Sequence, residues 1–172
     1  MEYYDLIKTR ESIRNYDPSR PVPQEILMRI LEAGRLAPSA CNIQPWKFIV
    51  VSSALMLEKV RACYHREWYK EAPHILIVVG EKDKAWIRKD DGYNSIETDL
   101  AIALTHLILA AENEGVGTCW IEAYNPSMLR EALSLTENQV VFGITPLGYQ
   151  KDGFRKAGIK KRKAPEDIIL FI

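Results

Sequence analysis

Residues 37–51 read APSACNIQPWKFIVV, and the change of character inside this stretch frames the whole chain. Its first nine residues are rich in turn formers and hold two prolines, Pro38 and Pro45, which resist both helix and ladder pairing. The run WKFIVVS that follows, at 46–52, is β-branched and aromatic and of strand length. A loop handing over to a strand is expected here.

Downstream, a helix over 54–63 and the apolar run HILIVVG at 74–80 complete a strand–helix–strand unit, and the polar stretch 81–93 reads as a loop. Asn94, followed three residues later by Glu97, resembles an N-cap with its capping partner and opens a helix to about Asn113. The middle of that helix is apolar on nearly every face, which predicts burial on all sides, a central place and a candidate subunit interface. Gly115 and Gly117 end it. TCWIEAY at 118–124 then reads as a short strand, Asn125-Pro126 caps a helix to about Leu133, and QVVFGITPLGY at 139–149 is the last core strand.

Upstream lie a helical turn over 3–8, a loop-to-strand passage RESIRNYDPSRPVP at 10–23, and an amphipathic helix from Pro23 to about Leu36. Strands and helices mix without strict βαβ repetition, so the class is α+β, in one domain over 1–172. The tail RKAGIKKRKAPEDIILFI carries a basic cluster and ends in an apolar run that needs a docking surface, such as a partner subunit.

Hydrophobic residues make up 47% of the 172 and charged residues 27%, which is ordinary for a folded domain. Lys plus Arg balances Asp plus Glu at 23 each, so no overall field favours nucleic acid or an anionic membrane, and any anion site is local. Cys41, Cys63 and Cys119 are an odd, scattered set that argues against a disulfide framework, zinc knuckle or iron–sulfur cluster. The N-terminus has no secretory pattern, and the apolar stretch 100–111 is shorter than the ~20 residues that span a bilayer. A cytoplasmic location with reduced thiols is expected.

Arg10, Ser12 and Arg14 are spaced i, i+2, i+4, and an extended segment points all three to one face, as a phosphate clamp requires. A solvated charged loop has the same pattern. Lys160, Lys161, Arg162 and Lys163 could converge on the same anion, or form a solvated tail. His65, His74 and His106 lack metal-ligand spacing, and no metal site is expected; His106 reads as a hydrogen-bonded core residue, Cys119 and Trp46 as packing. There is no G-x-G-x-x-G and no nucleophile triad.

In order along the chain, RESIR, APSACNIQPWKFIVV, GVGTCWIEA, GITPLGY and KKRKAPEDI together resemble the FMN-dependent nitroreductase family, with the APS-x-x-N-x-QPW-x-F string the most specific. The resemblance implies an α/β sandwich with a mixed central sheet flanked by helices, paired as an intertwined homodimer with two FMN sites at the interface. By this resemblance Arg10 and Ser12 hold the phosphate and ribityl chain, and Arg14 lies nearer the flavin pyrimidine edge. Lys161 and Lys163, with Arg162, are the C-terminal phosphate cations, in a register open by one residue. Pro38, Ser39 and Asn42 reach the flavin from the opposite subunit. Ile121, Glu122 and Ala123 lay their backbone against the flavin N5 edge, and Ala123 stands where many relatives have Gly.

The chain also lacks the helical insertion of longer members, which leaves the substrate pocket open or small. The implied activity is hydride transfer from NADH or NADPH through FMN to small electron-poor acceptors such as nitroaromatics, quinones or enones, with Arg14 and the Glu122 backbone assisting. A reductive dehalogenase, a flavin-fragmenting synthase and a flavin-storage module are the rival readings.

Overall fold

A computed structural model of the chain describes residues 1–158 and 160–172. Strands β1 (Trp46–Val51), β2 (His74–Glu81), β3 (Gly117–Thr118) and β4 (Gln139–Gly148) form one sheet in the order β1-β2-β4-β3. Each neighbouring pair is antiparallel, and parallel pairing, expected of a mixed sheet, is confined among the described residues to one bridge between Ser12 and Thr118. The helices are α1 (Tyr3–Thr9), α2 (Gln24–Arg35), α3 (Ala54–Arg61), α4 (Glu67–Lys70), α5 (Ile96–Asn113) and α6 (Pro126–Leu133).

β2 explains the layering. It is buried from His74 to Gly80, and its side chains alternate between two cores. Leu76 and Val78 join Ile30 of α2 and Leu100, Leu104 and Leu107 of α5, whereas Ile75, Ile77 and Val79 join Leu57 and Val60 of α3 and Leu129 of α6. A strand apolar on both faces must be covered on both faces, and the helices do this. At Gly34 a Cβ would stand 2.7 Å from Leu107 Cδ2, so α2 lies against α5 at a distance only glycine permits.

Several expectations need correction. The 118–124 segment is not a continuous strand: the Cys119 amide donates to Thr145 Oγ1 at 3.1 Å, so the chain leaves the ladder after β3 and returns only at the Ile121–Ile144 bridge. α5 starts at Ile96 with Ser95 as N-cap, and Asn94 instead accepts the Ile96 amide through Oδ1 at 3.0 Å. α5 is also not buried all round. Thr98 and Thr105 are exposed and Ile102 and Leu109 half-buried, one stripe at helical spacing. His106 is half-buried and makes no hydrogen bond among the described residues, contrary to the core reading. Asn125 does cap α6, through Oδ1 to the Met128 amide at 3.1 Å. The short α4 was not legible in advance.

Candidate functional site

The 10–14 segment extends alongside β3, fixed by the Ile13 amide to Thr118 carbonyl bond of 2.8 Å. Its pleat turns Ile13 into the core and leaves Ser12 half-buried and Arg14 exposed. Burial raises the Cys119 thiol pKa, while the Arg14 charge, a Ser12 hydroxyl contact and the Arg10 charge oppose that rise. Arg14 also lies over the Trp68 ring of α4, 5.9 Å from its centroid.

The C-terminal segment returns to this place. The Ala157 amide donates to Glu11 Oε1 at 2.8 Å, Lys156 pairs with the buried Glu112, and Lys160 Nζ donates to the Ile7 carbonyl at 3.1 Å. Burial, and then the positive charges of Arg10 and Arg162, hold the Lys160 pKa below its ordinary value, with Glu11 and Glu112 opposing. Those two carboxylates are already engaged by Ala157 and Lys156. The positive charges of Arg10 and Arg162 thus bear on Lys160 with little to offset them. Lys160 is half-buried, whereas Lys161, Arg162 and Lys163 are all exposed.

Beyond Cys119, the Ile121 amide and carbonyl both pair with Ile144 at 3.0 Å. The next two amides, Glu122 and Ala123, have no hydrogen-bond partner among the described residues, and both residues are exposed. The Glu122 carboxylate is turned back to accept the Trp120 indole N–H at 2.7 Å. Two adjacent free donors, on the sheet edge where Ser12 bridges Thr118, suit a ligand with acceptor atoms.

The loop of Pro38, Ser39 and Asn42 is built differently. Cys41, Asn42 and Gln44 take positive φ angles of 50°, 54° and 55°, a concentration of left-handed non-glycine residues that the surroundings must impose. Ser39 Oγ accepts the Gln44 amide at 2.9 Å, and Asp99, 1% exposed, accepts the Ala40 amide at 2.9 Å and the Ser95 hydroxyl at 2.8 Å.

Within one chain the two halves of the expected site are apart. The 38–44 loop leads into β1 at one sheet edge, and Ser12 bridges outside β3 at the other, four strand spacings or about 19 Å away. Along α5 the loop is tied at Asp99 and the tail at Glu112, about 20 Å further down the helix. The structure brings Arg10, Ser12, Arg14, Ile121, Glu122 and Ala123 to one edge and leaves Pro38, Ser39 and Asn42 at the opposite one.

Sequence reasoning missed Asp99, Trp120 and Trp68. An acid in the first turn of an otherwise apolar helix was a usable signal for Asp99; nothing marked Trp68. Among the described residues no group of His, Cys, Asp and Glu could hold a metal, and no helix is long and apolar enough to cross a membrane.

Residues 7–63 and 53–149 match the nitroreductase family model. A protein of Archaeoglobus fulgidus with the provisional name NADH dehydrogenase/NAD(P)H nitroreductase is 37% identical over 155 residues, covering 88% of this chain and 87% of its own. The crystal structure of a nitroreductase family protein from Clostridium difficile 630 superposes with a TM-score of 0.91 at 30% identity, over 99% of this chain and 98% of that one. An FMN-dependent nitroreductase from Clostridium difficile R20291 gives 0.78 at 28% identity, over 96% of each chain. The chain belongs to the nitroreductase family.

Proposed function

We propose that this protein is an FMN-dependent NAD(P)H oxidoreductase that works as a homodimer. The observation that carries the reading is one sheet edge that holds the Ser12–Thr118 and Ile121–Ile144 bridges, with the unpartnered amides of Glu122 and Ala123 just beyond and the tail's Lys160 returning to the Ile7 carbonyl. The donor set fits FMN: cations for the phosphate, Ser12 for the ribityl chain, and backbone N–H groups for the flavin N5 edge. When bound, FMN supplies hydride transfer, taking it from a nicotinamide and giving it to an acceptor.

The chain's own residues do the rest. Arg14, held over Trp68, places a fixed positive charge toward the pyrimidine edge and favours the electron-rich form of the ring. The Glu122 and Ala123 amides orient the reacting edge without titrating. Pro38, Ser39 and Asn42, too distant to serve the same chain's clamp, serve the partner's. A second copy would also cover the open stripe of α5 and the apolar end of the tail, where Leu170 is 82% and Phe171 92% exposed. The nicotinamide and a nitroaromatic, quinone or enone take turns in one pocket.

The test is the visible spectrum of the purified protein before and after anaerobic NADH or NADPH. A flavin spectrum bleached by one of them, and restored by a nitroaromatic or quinone, is expected. Protein without flavin, or flavin that neither nucleotide bleaches, would refute the enzyme reading; reoxidation by an aryl halide alone would favour a dehalogenase.

A further inference from the structure

The hydrogen bond between Trp120 and Glu122 stands outside the roles assigned so far. The indole ring of Trp120 meets Phe142 edge-on, with centroids 5.8 Å apart and an interplanar angle of 85°. It also sits over Gly143, where a Cβ would come within 3.4 Å of Nε1, so the ring lies against bare backbone. From that seat Nε1 donates to Glu122 Oε1 at 2.7 Å, a short bond to a charged acceptor. The backbone around Glu122 is pinned on both sides, by the Ile121–Ile144 pair and by the Asn125 amide to Cys63 carbonyl bond of 2.7 Å. The exposed carboxylate is therefore the part of this segment with freedom to move, and the indole removes that freedom.

We propose that Trp120 is a positioning residue that holds the Glu122 carboxylate away from the free Glu122 and Ala123 amides, so that these present donors and no negative charge to the flavin. The inference rests on the FMN reading above. A carboxylate loose beside a ring that gains electron density on reduction would oppose that reduction and compete for the same amides. The clamp keeps the flavin easier to reduce.

Spectroelectrochemical titration of the FMN-loaded protein reads this directly. Trp120→Phe keeps the ring and loses the donor, and it is expected to move the flavin midpoint to more negative potential. Adding Glu122→Gln, which removes the charge, is expected to return the midpoint toward the wild-type value. An unchanged midpoint in Trp120→Phe, or a shift that persists in the double variant, overturns the proposal. Should Trp120→Phe fail to fold, Glu122→Asp carries the same expectation, because its shorter carboxylate does not reach the indole and keeps its charge.

The hydrogen bond itself is checked without flavin reduction. The chain has four tryptophans, and Glu122→Ala should move one indole N–H resonance upfield and speed its hydrogen exchange while the other three stay in place. No change in any indole signal overturns the clamp. Wild-type protein that binds no FMN defeats the proposed function as a whole, whereas flavin-loaded protein with an indifferent Trp120→Phe defeats only this inference.

Discussion

The buried Asp99 carboxylate accepts the Ala40 amide at 2.9 Å and thereby ties the left-handed 38–44 loop to the first turn of α5. With the Ser39 hydroxyl, which accepts the Gln44 amide at 2.9 Å, it holds a loop that its own backbone preferences would not hold. Asp99→Ala leaves the Ala40 amide and the Ser95 hydroxyl without their partner, at a cost of about 1–3 kcal/mol. At roughly 2–4 °C per kcal/mol for a chain of this size, the melting temperature should drop by several degrees, and FMN affinity should fall with it. Calorimetry and FMN titration measure both; an Asp99→Ala protein with wild-type FMN affinity would show that the loop does not serve the cofactor.

Arg10 and Lys160 should act as one phosphate site. Loss of a charge-assisted contact is worth about 1.5–3 kcal/mol, so Arg10→Ala or Lys160→Ala should weaken FMN about ten- to hundredfold, less so at high salt. Lys161→Ala should matter less, because Lys160 is half-buried at the Ile7 carbonyl whereas Lys161 is exposed. Riboflavin, which lacks the phosphate, should bind the variants and the wild type alike. Equal losses for FMN and riboflavin would remove Arg10 and Lys160 from the phosphate site.

His74 sets a pH limit on stability. Its Nε2 accepts the Val22 amide at 3.0 Å and its Nδ1 lies 2.7 Å from Ser52 Oγ, so the ring is neutral with the proton on Nδ1. Burial holds its pKa below the ordinary value in the folded chain. The unfolded chain takes up a proton near pH ~6.5, before the folded one does. Stability therefore declines as pH drops below about 6.5 and stops declining once the folded ring also protonates. The paired carboxylates Glu32, Glu81 and Glu114, with lowered pKa values, lose their contribution only at more acid pH. Denaturant unfolding from about pH 5 to about pH 7, a window that spans the free imidazole value of about 6.5, should show a gentler dependence of stability on pH for His74→Gln; identical slopes would contradict the assignment.

Glu122 should contribute through its amide. Glu122→Ala keeps the N–H and should retain most of the rate of flavin reduction, whereas Glu122→Pro deletes it and should lose about a hundred- to a thousandfold, in line with ~2.7–4 kcal/mol for such a donor. Ile121→Pro is no fair control, since the Ile121 amide is spent on Ile144 in the sheet. Stopped-flow bleaching at equal flavin occupancy decides it: if Ala is as damaging as Pro, the carboxylate itself takes part.

Association should depend on the surfaces one chain leaves open. Sedimentation of the full chain should give a dimer, and Ile102→Arg on the open stripe of α5, or removal of 168–172, should shift it toward monomer with loss of FMN. A monomer that holds FMN normally would refute the shared site.

Most of the secondary structure was legible in the order of the residues. Periodicity placed α2, α5 and β2 because apolar side chains must be gathered on one face of a helix or both faces of a central strand. Alternation placed Arg10, Ser12 and Arg14 on one side of an extended segment, and all three bear on the Cys119 thiol. Tertiary structure alone decided the rest, because each remaining feature depends on a partner distant in sequence. Thr145 takes the Cys119 amide and so interrupts the strand expected at 118–124. The return of the tail across Glu11 and Glu112 brings Lys160 to the Ile7 carbonyl, a contact that nothing in a run of four like cations foretells. The sheet, with β1 and β3 as its two edges, separates the 38–44 loop from the clamp by a distance that only folding sets. Local preference is written in neighbouring residues, whereas register and convergence are written in contacts between residues far apart along the chain.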